Sequence, residues 1–348
     1  MKNIDINALV RDNVKAMKPY SSARDEFKNM EADLVFLDAN ENPFNTGFNR
    51  YPDPQQVKVK AILAEQKGVN PNQILLGNGS DEALDLLFRA FCEPNKDNVI
   101  AISPSYGMYQ VLANLNAVTY KKSLLEPETF NLDVSDILSK VDQNTKMIFL
   151  CSPNNPTGQL IPENQILEIV EKFNGLVVID EAYIDFSSAE SWNKKLELYN
   201  NIVVIQTLSK AYGLAAIRLG IVYANPEIIA VLNKIKPPYN INALTQQKAI
   251  EVIIDKNYTK NISNLNSEQK SVLFEALVQL NYIEKVYPTD ANFILIKVDN
   301  ANDRYAKILE KGFVVRNRTN DDLCENCLRI SIGTPTENEK LIQVLKTL

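Results

Sequence analysis

LVVIDEAYIDF at residues 176–186, followed by NIVVIQTLSK at 201–210, decides how this chain is read. Each stretch opens with consecutive apolar residues and then breaks into polar ones: Asp180 and Glu181 in the first, Thr207, Ser209 and Lys210 in the second. An alternating pattern would mark a strand with one wet face, whereas an unbroken apolar run marks a strand covered on both faces, as in a largely parallel sheet. The same signature recurs outward as NVIAI at 98–102, KMIFL at 146–150 and LGIVYA at 219–224, with amphipathic stretches at 80–91, 105–115 and 162–173 that read as helices between them. The expected fold is α/β, with a large domain over 45–240 whose mostly parallel sheet is covered by helices. Beyond Pro237 and Pro238 a polar helical stretch runs to about 280. Strands near 282–287, 292–297, 312–316 and 327–332 and a closing helix then predict a smaller α+β domain over 241–348. Residues 1–44, polar with one amphipathic turn, are expected to form an arm that contributes to the small domain.

Composition narrows the chemistry. The chain has 348 residues, enough for two domains with ample core, and its 45% hydrophobic and 23% charged content is that of an ordinary globular protein. Thirty-seven Lys and Arg against 43 Asp and Glu leave a net charge of −6, which disfavours a broad nucleic-acid surface, so any anion site must be local. Histidine is absent, which excludes a His-based triad, a His metal site and imidazole acid–base catalysis. No metal site is expected. Four cysteines are too few for a disulfide framework, and the one motif-like pair, Cys324 and Cys327 in CENC, runs into a strand and reads as inert thiols. The N-terminus MKNIDINALVRDNVKAM lacks an apolar leader and no run reaches the length of a membrane span, so a cytoplasmic address is expected, with no membrane partner.

Ligands of open α/β sheets bind outside the carboxyl ends of the parallel strands, so the polar residues that follow the apolar runs are the candidates. LVVID ends in Asp180 with Tyr183 behind it, IVVIQTLSK supplies Thr207, Ser209 and Lys210, and KMIFLCSPNNPTG supplies Asn155. LLGNGSDEALDLLF places Gly79 and Ser80 just before a helix, where free N–H groups and the helix dipole favour a phosphate. Singly, each reads as well as a turn, a helix cap or a solvated surface group. Their occurrence in one chain and in this order, with Asp180 thirty residues before Lys210 and Arg218 eight after it, is what points to a site.

These motifs resemble the fold type I pyridoxal-phosphate aminotransferases, and within them the histidinol-phosphate aminotransferase family. The resemblance runs over most of the chain through LDANENPF (37–44), NRYPDP (49–54), LGNGSDEAL (76–84), SPSYGMY (103–109), SPNNPTG (152–158), VIDEAYIDF (178–186), TLSKAYGLAAIRLG (207–220), VVRNR (314–318) and CLRISIG (327–333). The family usually shows glycine where Ala216 stands, which implies slightly less room beside the cofactor.

The resemblance implies that pyridoxal 5′-phosphate is the cofactor, with Lys210 as its Schiff-base lysine and proton shuttle, a double role that suits a chain with no imidazole. Asp180 would keep the pyridine nitrogen protonated: a carboxylate and a pyridinium ~4 Å apart interact by about 4 kcal/mol at an effective dielectric of ~20, or roughly three pKa units. Tyr183 and Asn155 would bond the phenolic oxygen and Tyr106 would stack on the ring. Gly79, Ser80, Thr207, Ser209 and Arg218 would hold the cofactor and its phosphate. Tyr51 would reach the phosphate of a neighbouring subunit, making a homodimer the functional unit. Arg316, Arg329 and Tyr20 would take the anionic ends of the substrates, histidinol phosphate and glutamate or 2-oxoglutarate, in alternating half-reactions of histidine biosynthesis.

A lyase resembling threonine-phosphate decarboxylase shares much of this motif set, as does an aromatic or broad-specificity aminotransferase. A cofactor-sensing transcription regulator would need a basic helix-turn-helix segment, for which the residues before LDANENPF are too few and too mixed in charge. A nicotinamide dehydrogenase is set aside because NGSDE lacks the third glycine of its fingerprint.

Overall fold

A computed structural model of the protein describes residues 2–20, 35–255 and 257–348. Seven strands form the main sheet: β1 (Ile74–Asn78), β2 (Asn98–Ser103), β3 (Thr119–Leu124), β4 (Thr145–Cys151), β5 (Leu176–Asp180), β6 (Ile202–Thr207) and β7 (Leu219–Ala224). Their order is β1-β7-β6-β5-β4-β2-β3, parallel from β3 through to β6, with β7 antiparallel to both neighbours. Every residue of β2, β5, β6 and β7 is buried, as their unbroken apolar runs require.

Successive residues of each central strand serve opposite faces. Ile148, Leu150, Val177, Ile179, Ile202 and Val204 join one core layer with Val59 and Leu63 of α3 (Val57–Lys67) and Ile166, Ile169 and Val170 of α7 (Glu163–Lys172). Met147, Phe149, Leu176, Val178, Val203 and Ile205 face the other way. They pack with α4 (Gly79–Phe91), α5 (Met108–Leu115) and α8 (Pro226–Ile235). A short helix α6 (Val134–Ser139) lies against α7.

Two strands lie outside the apolar-run signature. β3, TYKKSL, is an edge strand whose Lys121 and Lys122 discourage pairing with another chain, so it lacks a long apolar run. β1, ILLGN, sits at the other edge, and its last residues look in sequence like part of the turn that follows.

The second sheet is antiparallel, in the order β10-β11-β9-β8, from β8 (Ile283–Val286), β9 (Phe293–Val298), β10 (Arg316–Asn317) and β11 (Cys327–Ser331). Its core gathers Leu273 and Leu277 of α10 (Tyr258–Leu277), Ile308 of α11 (Ala301–Glu310) and Leu341 and Leu345 of α12 (Pro335–Leu345). Helix α12 starts sharply because Thr334 and Glu337 form a reciprocal capping box around Pro335.

Two packing observations bear on the domain layout. The first two helices of the arm pack on the large unit: α1 (Ile6–Leu9) and α2 (Asp12–Ala16) bury Ile6 and Val14 in the core layer of α4 and α8, and the Arg11 N–H donates to the Ala90 carbonyl at 3.0 Å. The apolar period of that segment finds its nearest uncovered surface there. Helix α9 (Ala243–Ile253) also belongs to the large unit, since Ala249 and Ile253 join the α3 layer and the Thr245 hydroxyl donates to the Ile217 carbonyl at 2.9 Å. We therefore propose a division of the two units between α9 and α10 instead of at 240.

Candidate active site

The carboxyl ends of β1, β4, β5 and β6 meet at one edge of the main sheet. A cleft opens there, lined by Ser80, Asp81, Tyr106, Cys151, Asn155, Asp180, Ala182, Tyr183, Thr207, Ser209, Lys210 and Arg218. Residues from five separate motifs thus converge because each follows a strand that ends at the same edge.

The floor is Asp180, the last residue of β5, only 3% exposed. Its Oδ2 accepts the Tyr109 hydroxyl at 2.7 Å and its Oδ1 accepts the Ala182 N–H at 3.1 Å. Burial raises its pKa, while these bonds, with a smaller contribution from the charge of Lys210, pull it back. Among the described residues Asp180 has no ion-pair partner, so a buried acid stands ready for a cationic group. Lys210 reaches into the same cleft with its Nζ 5.5 Å from the centre of the Tyr183 ring. Desolvation and the nearby Arg329 charge lower its pKa, which favours a free amine. Tyr183 is buried against Phe293, edge to face at 5.1 Å. Burial pushes its phenol pKa up and the charges of Arg329 and Arg318 pull it down.

Opposite lies a cup for an anion. Gly79 adopts φ +76°, and a Cβ there would lie 2.4 Å from Arg218 Nη2; a Cβ at Gly220 would lie 2.4 Å from the Ser80 nitrogen. Both glycines are required by this close approach of strand, helix start and guanidinium. Arg218, itself left-handed at φ +55°, holds Asp81 at 3.3 Å, and Asp81 also accepts the Tyr106 hydroxyl at 2.9 Å. One expected donor is spoken for: the Gly79 N–H donates to the Arg218 carbonyl at 2.9 Å. Gly79 therefore shapes the cup while Ser80, in the first turn of α4, presents the N–H. Thr207 shapes the turn carrying Ser209, its Oγ1 accepting the Ser209 N–H at 3.1 Å and donating to the Leu219 carbonyl at 3.2 Å.

Asn155 links the cleft to the second sheet. Its Oδ1 accepts from Arg329 Nη1 and, at 3.4 Å, from Arg318 Nη2, which leaves its Nδ2 as the donor for a ligand. Arg329 stacks over Phe293 at 5.0 Å and sits directly opposite Arg316 in the β10–β11 register.

Tyr20 and Arg316 do not line this cleft, and Tyr51, expected at the cleft of a neighbouring subunit, does not line its own. Tyr51, half exposed, stacks instead on Tyr239 with centroids 4.5 Å apart. Tyr20 is 74% exposed, and the residues after it, 21–34, lie outside the described residues. Arg316 is exposed on the outer strand of the small sheet. Ala216 is exposed and forms no part of the cleft wall, so its methyl takes no room from a ligand there. Sequence reasoning missed Asp81, Tyr109, Cys151 and Arg318. Each stands inside or beside a motif already quoted, but only its side-chain partner reveals a role. Cys324 and Cys327 are buried and free, and among the described residues no cluster of three or more metal-ligating side chains occurs.

The donor set fits pyridoxal phosphate: a cup of anion size that a Cβ at Gly79 or Gly220 would fill, a buried acid with no ion-pair partner among the described residues, an aromatic wall and an amine of lowered basicity. Residues 29–345 match the family model described as aminotransferase class I and II. The chain is 59% identical, over the full length of both, to a histidinol-phosphate aminotransferase of Flavobacterium johnsoniae. It superposes on the crystal structure of the histidinol-phosphate aminotransferase from Clostridium acetobutylicum with a TM-score of 0.80 at 26% identity, covering 86% of this chain and 91% of that one. The L-threonine-O-3-phosphate decarboxylase of Porphyromonas gingivalis shares the fold at a TM-score of 0.73 and 23% identity, covering 86% of this chain and 90% of that one. By its match to that family model and its full-length likeness to those relatives, the chain belongs to the histidinol-phosphate aminotransferase family within aminotransferase class I and II.

Proposed function

We propose that the chain transfers the amino group of histidinol phosphate to 2-oxoglutarate, giving imidazole-acetol phosphate and glutamate, with pyridoxal phosphate as cofactor in histidine biosynthesis. Pyridoxal phosphate, when bound, supplies an electron sink for the charge left on a substrate carbon that loses its proton. Lys210 would hold the cofactor covalently and, once displaced by the substrate amine, take the proton from substrate Cα; burial and the Arg329 charge lower its basicity, the direction a general base needs. Asp180 would keep the ring nitrogen protonated, and Tyr109 fixes the orientation of its carboxylate. Asn155 Nδ2 and the Tyr183 hydroxyl would bond the phenolic oxygen, Tyr106 would face the ring, and Ser80, Ser209 and Arg218 would bind the phosphate. Arg329 would receive the carboxylate of glutamate.

The single observation that carries this reading is the convergence of Lys210, Asp180 and Arg218 on one cleft. A homodimer is part of the proposal. Phe48, Tyr51 and Leu244 line one exposed groove suited to burial against a second copy, and Tyr51, which does not line its own cleft, would serve the other.

The test is a product assay with the purified protein. Glutamate formation that requires both histidinol phosphate and 2-oxoglutarate is expected, and Lys210→Ala should abolish both turnover and the cofactor mass fixed on the chain by borohydride. Carbon dioxide release from phosphothreonine without any glutamate formation would overturn the assignment in favour of a lyase.

A further inference from the structure

Arg318 sits immediately after β10, in the turn that leads to β11, and its N–H continues the ladder by donating to the Cys327 carbonyl at 2.9 Å. Its side chain turns toward the cleft, with Nη2 3.4 Å from Asn155 Oδ1, the same oxygen that Arg329 engages. Two guanidinium groups therefore converge on one neutral amide oxygen. Burial and the Arg318 charge both lower the pKa of Arg329, a sign that the pair is short of negative charge. The counter-ion at hand is Asp321, 3.3 Å from Arg318 Nη1. Three further polar atoms here, Arg318 Nε, Arg329 Nε and Thr319 Oγ1, are buried without a partner among the described residues. In a folded protein such atoms call for a ligand or water.

The turn is held in place by the main sheet. Asp322 accepts from Ser103 Oγ at 2.5 Å and from Lys122 Nζ at 2.7 Å, so residues of the main sheet pin the segment that carries Arg318. The guanidinium is thus positioned before any ligand arrives.

Counting donors identifies which ligand. A carboxylate has two oxygens, and one guanidinium fork satisfies it through paired bonds. Arg329 alone suffices for that. A phosphate monoester carries three terminal oxygens and close to two charges at neutral pH, so it needs a second fork.

We propose that Arg318 is a specificity-determining residue that recognises the dianionic phosphate end of the substrate beside Arg329 and discriminates it from a single carboxylate. This rests on the aminotransferase reading above.

The experiment compares Arg318→Gln and Arg318→Lys with the wild-type holoenzyme, measuring KM for histidinol phosphate and for glutamate separately and the binding of inorganic phosphate by calorimetry. Loss of one charged hydrogen-bonding group should raise the KM for histidinol phosphate about tenfold or more and weaken inorganic phosphate to a similar degree. The KM for glutamate should stay within about threefold, kcat should be little changed, and Arg318→Lys should recover part of the loss. An equal effect on both substrates would mean that Arg318 only positions Asn155, and no effect on either would mean that it is a surface group; each overturns the proposal. Asp321→Asn gives an independent arm if Arg318→Gln does not fold: removing the counter-ion should tighten inorganic phosphate, and unchanged or weaker binding refutes the inference. If the wild type turns over neither substrate, the aminotransferase reading fails, yet the phosphate titration still tests Arg318.

Discussion

Replacing Gly220 by alanine tests the phosphate cup without touching any side chain assigned to chemistry. Gly220 lies in β7, opposite Gly77 of β1 and Thr207 of β6, and the space beside its Cα is filled by the first peptide of α4. An added Cβ would fall 2.4 Å from the carbonyl carbon of Gly79 and 2.4 Å from the Ser80 nitrogen, where 3.0 Å is the practical limit. The peptide must retreat by at least roughly 0.6 Å, an overpacking that costs about 1–3 kcal/mol of stability. The same retreat misaligns the Ser80 N–H and shifts it away from Arg218. Loss of one hydrogen bond to a charged phosphate is worth about 1.5–3 kcal/mol, which corresponds to roughly 10- to 150-fold weaker cofactor binding.

Titration of the cofactor-free protein with pyridoxal phosphate measures that factor, and the separation of thermal midpoints with and without cofactor should shrink accordingly. Gly107→Ala is the control. It neighbours Tyr106 of the same cleft, its φ is −62°, and its Cβ would meet nothing within 4 Å, so stability should move by no more than about 0.5 kcal/mol and affinity by less than about threefold. If Gly220→Ala binds the cofactor as tightly as the wild type, the phosphate does not sit at the start of α4.

Two other perturbations address the buried acid network and the assembly. Glu181, 1% exposed, accepts from Trp192 N at 2.7 Å, Ser191 Oγ at 2.5 Å and Gln206 Nε2 at 2.8 Å, yet burial outweighs these bonds and pushes its pKa from 4.5 up to about 7. The folded state then holds a proton that the unfolded state releases, so this contribution is complete below pH 4.5 and is lost as pH rises toward 7. The loss is about 3 kcal/mol. With no histidine in the chain, few other groups titrate in that window, so urea unfolding of the cofactor-free protein should show the decline and Glu181→Gln should flatten it; an unchanged slope would refute the assignment. For the dimer, Tyr51→Ala and Lys210→Ala should each be nearly inactive alone. Mixed dimers should regain activity, because one of their two clefts then combines an intact Lys210 with an intact Tyr51; no recovery on subunit exchange would show that Tyr51 does not act in trans.

The strands of the main sheet were legible wherever a run was apolar on both faces, because burial on both sides leaves no other composition for β2, β4, β5, β6 and β7. Edge strands β1 and β3 were not, since an edge needs no such run and β3 is protected by lysines instead. The packing of the arm and of α9 on the large unit was invisible for a related reason: an amphipathic period states that a helix has a partner without saying which.

Motif order pointed to a site shared by Lys210, Asp180, Asn155, Ser80 and Arg218: Asn155, Asp180 and Lys210 follow the adjacent parallel strands β4, β5 and β6 and emerge at one edge, while Ser80 after β1 and Arg218 before β7 reach that edge from across the antiparallel β7. Pairing in space was decided by the tertiary structure alone. The Tyr109 hydroxyl on Asp180, Asp81 between Tyr106 and Arg218, the commitment of the Gly79 N–H to a carbonyl, and the meeting of Arg318 with Arg329 on Asn155 join residues up to 174 positions apart. Hydrogen bonds and close charge pairs act over about 3 Å, and nothing in the linear order of the chain sets distances on that scale. They follow only from how the strands and the turns after them pack in three dimensions, and, for Arg318 and Arg329, from where the second sheet meets Asn155.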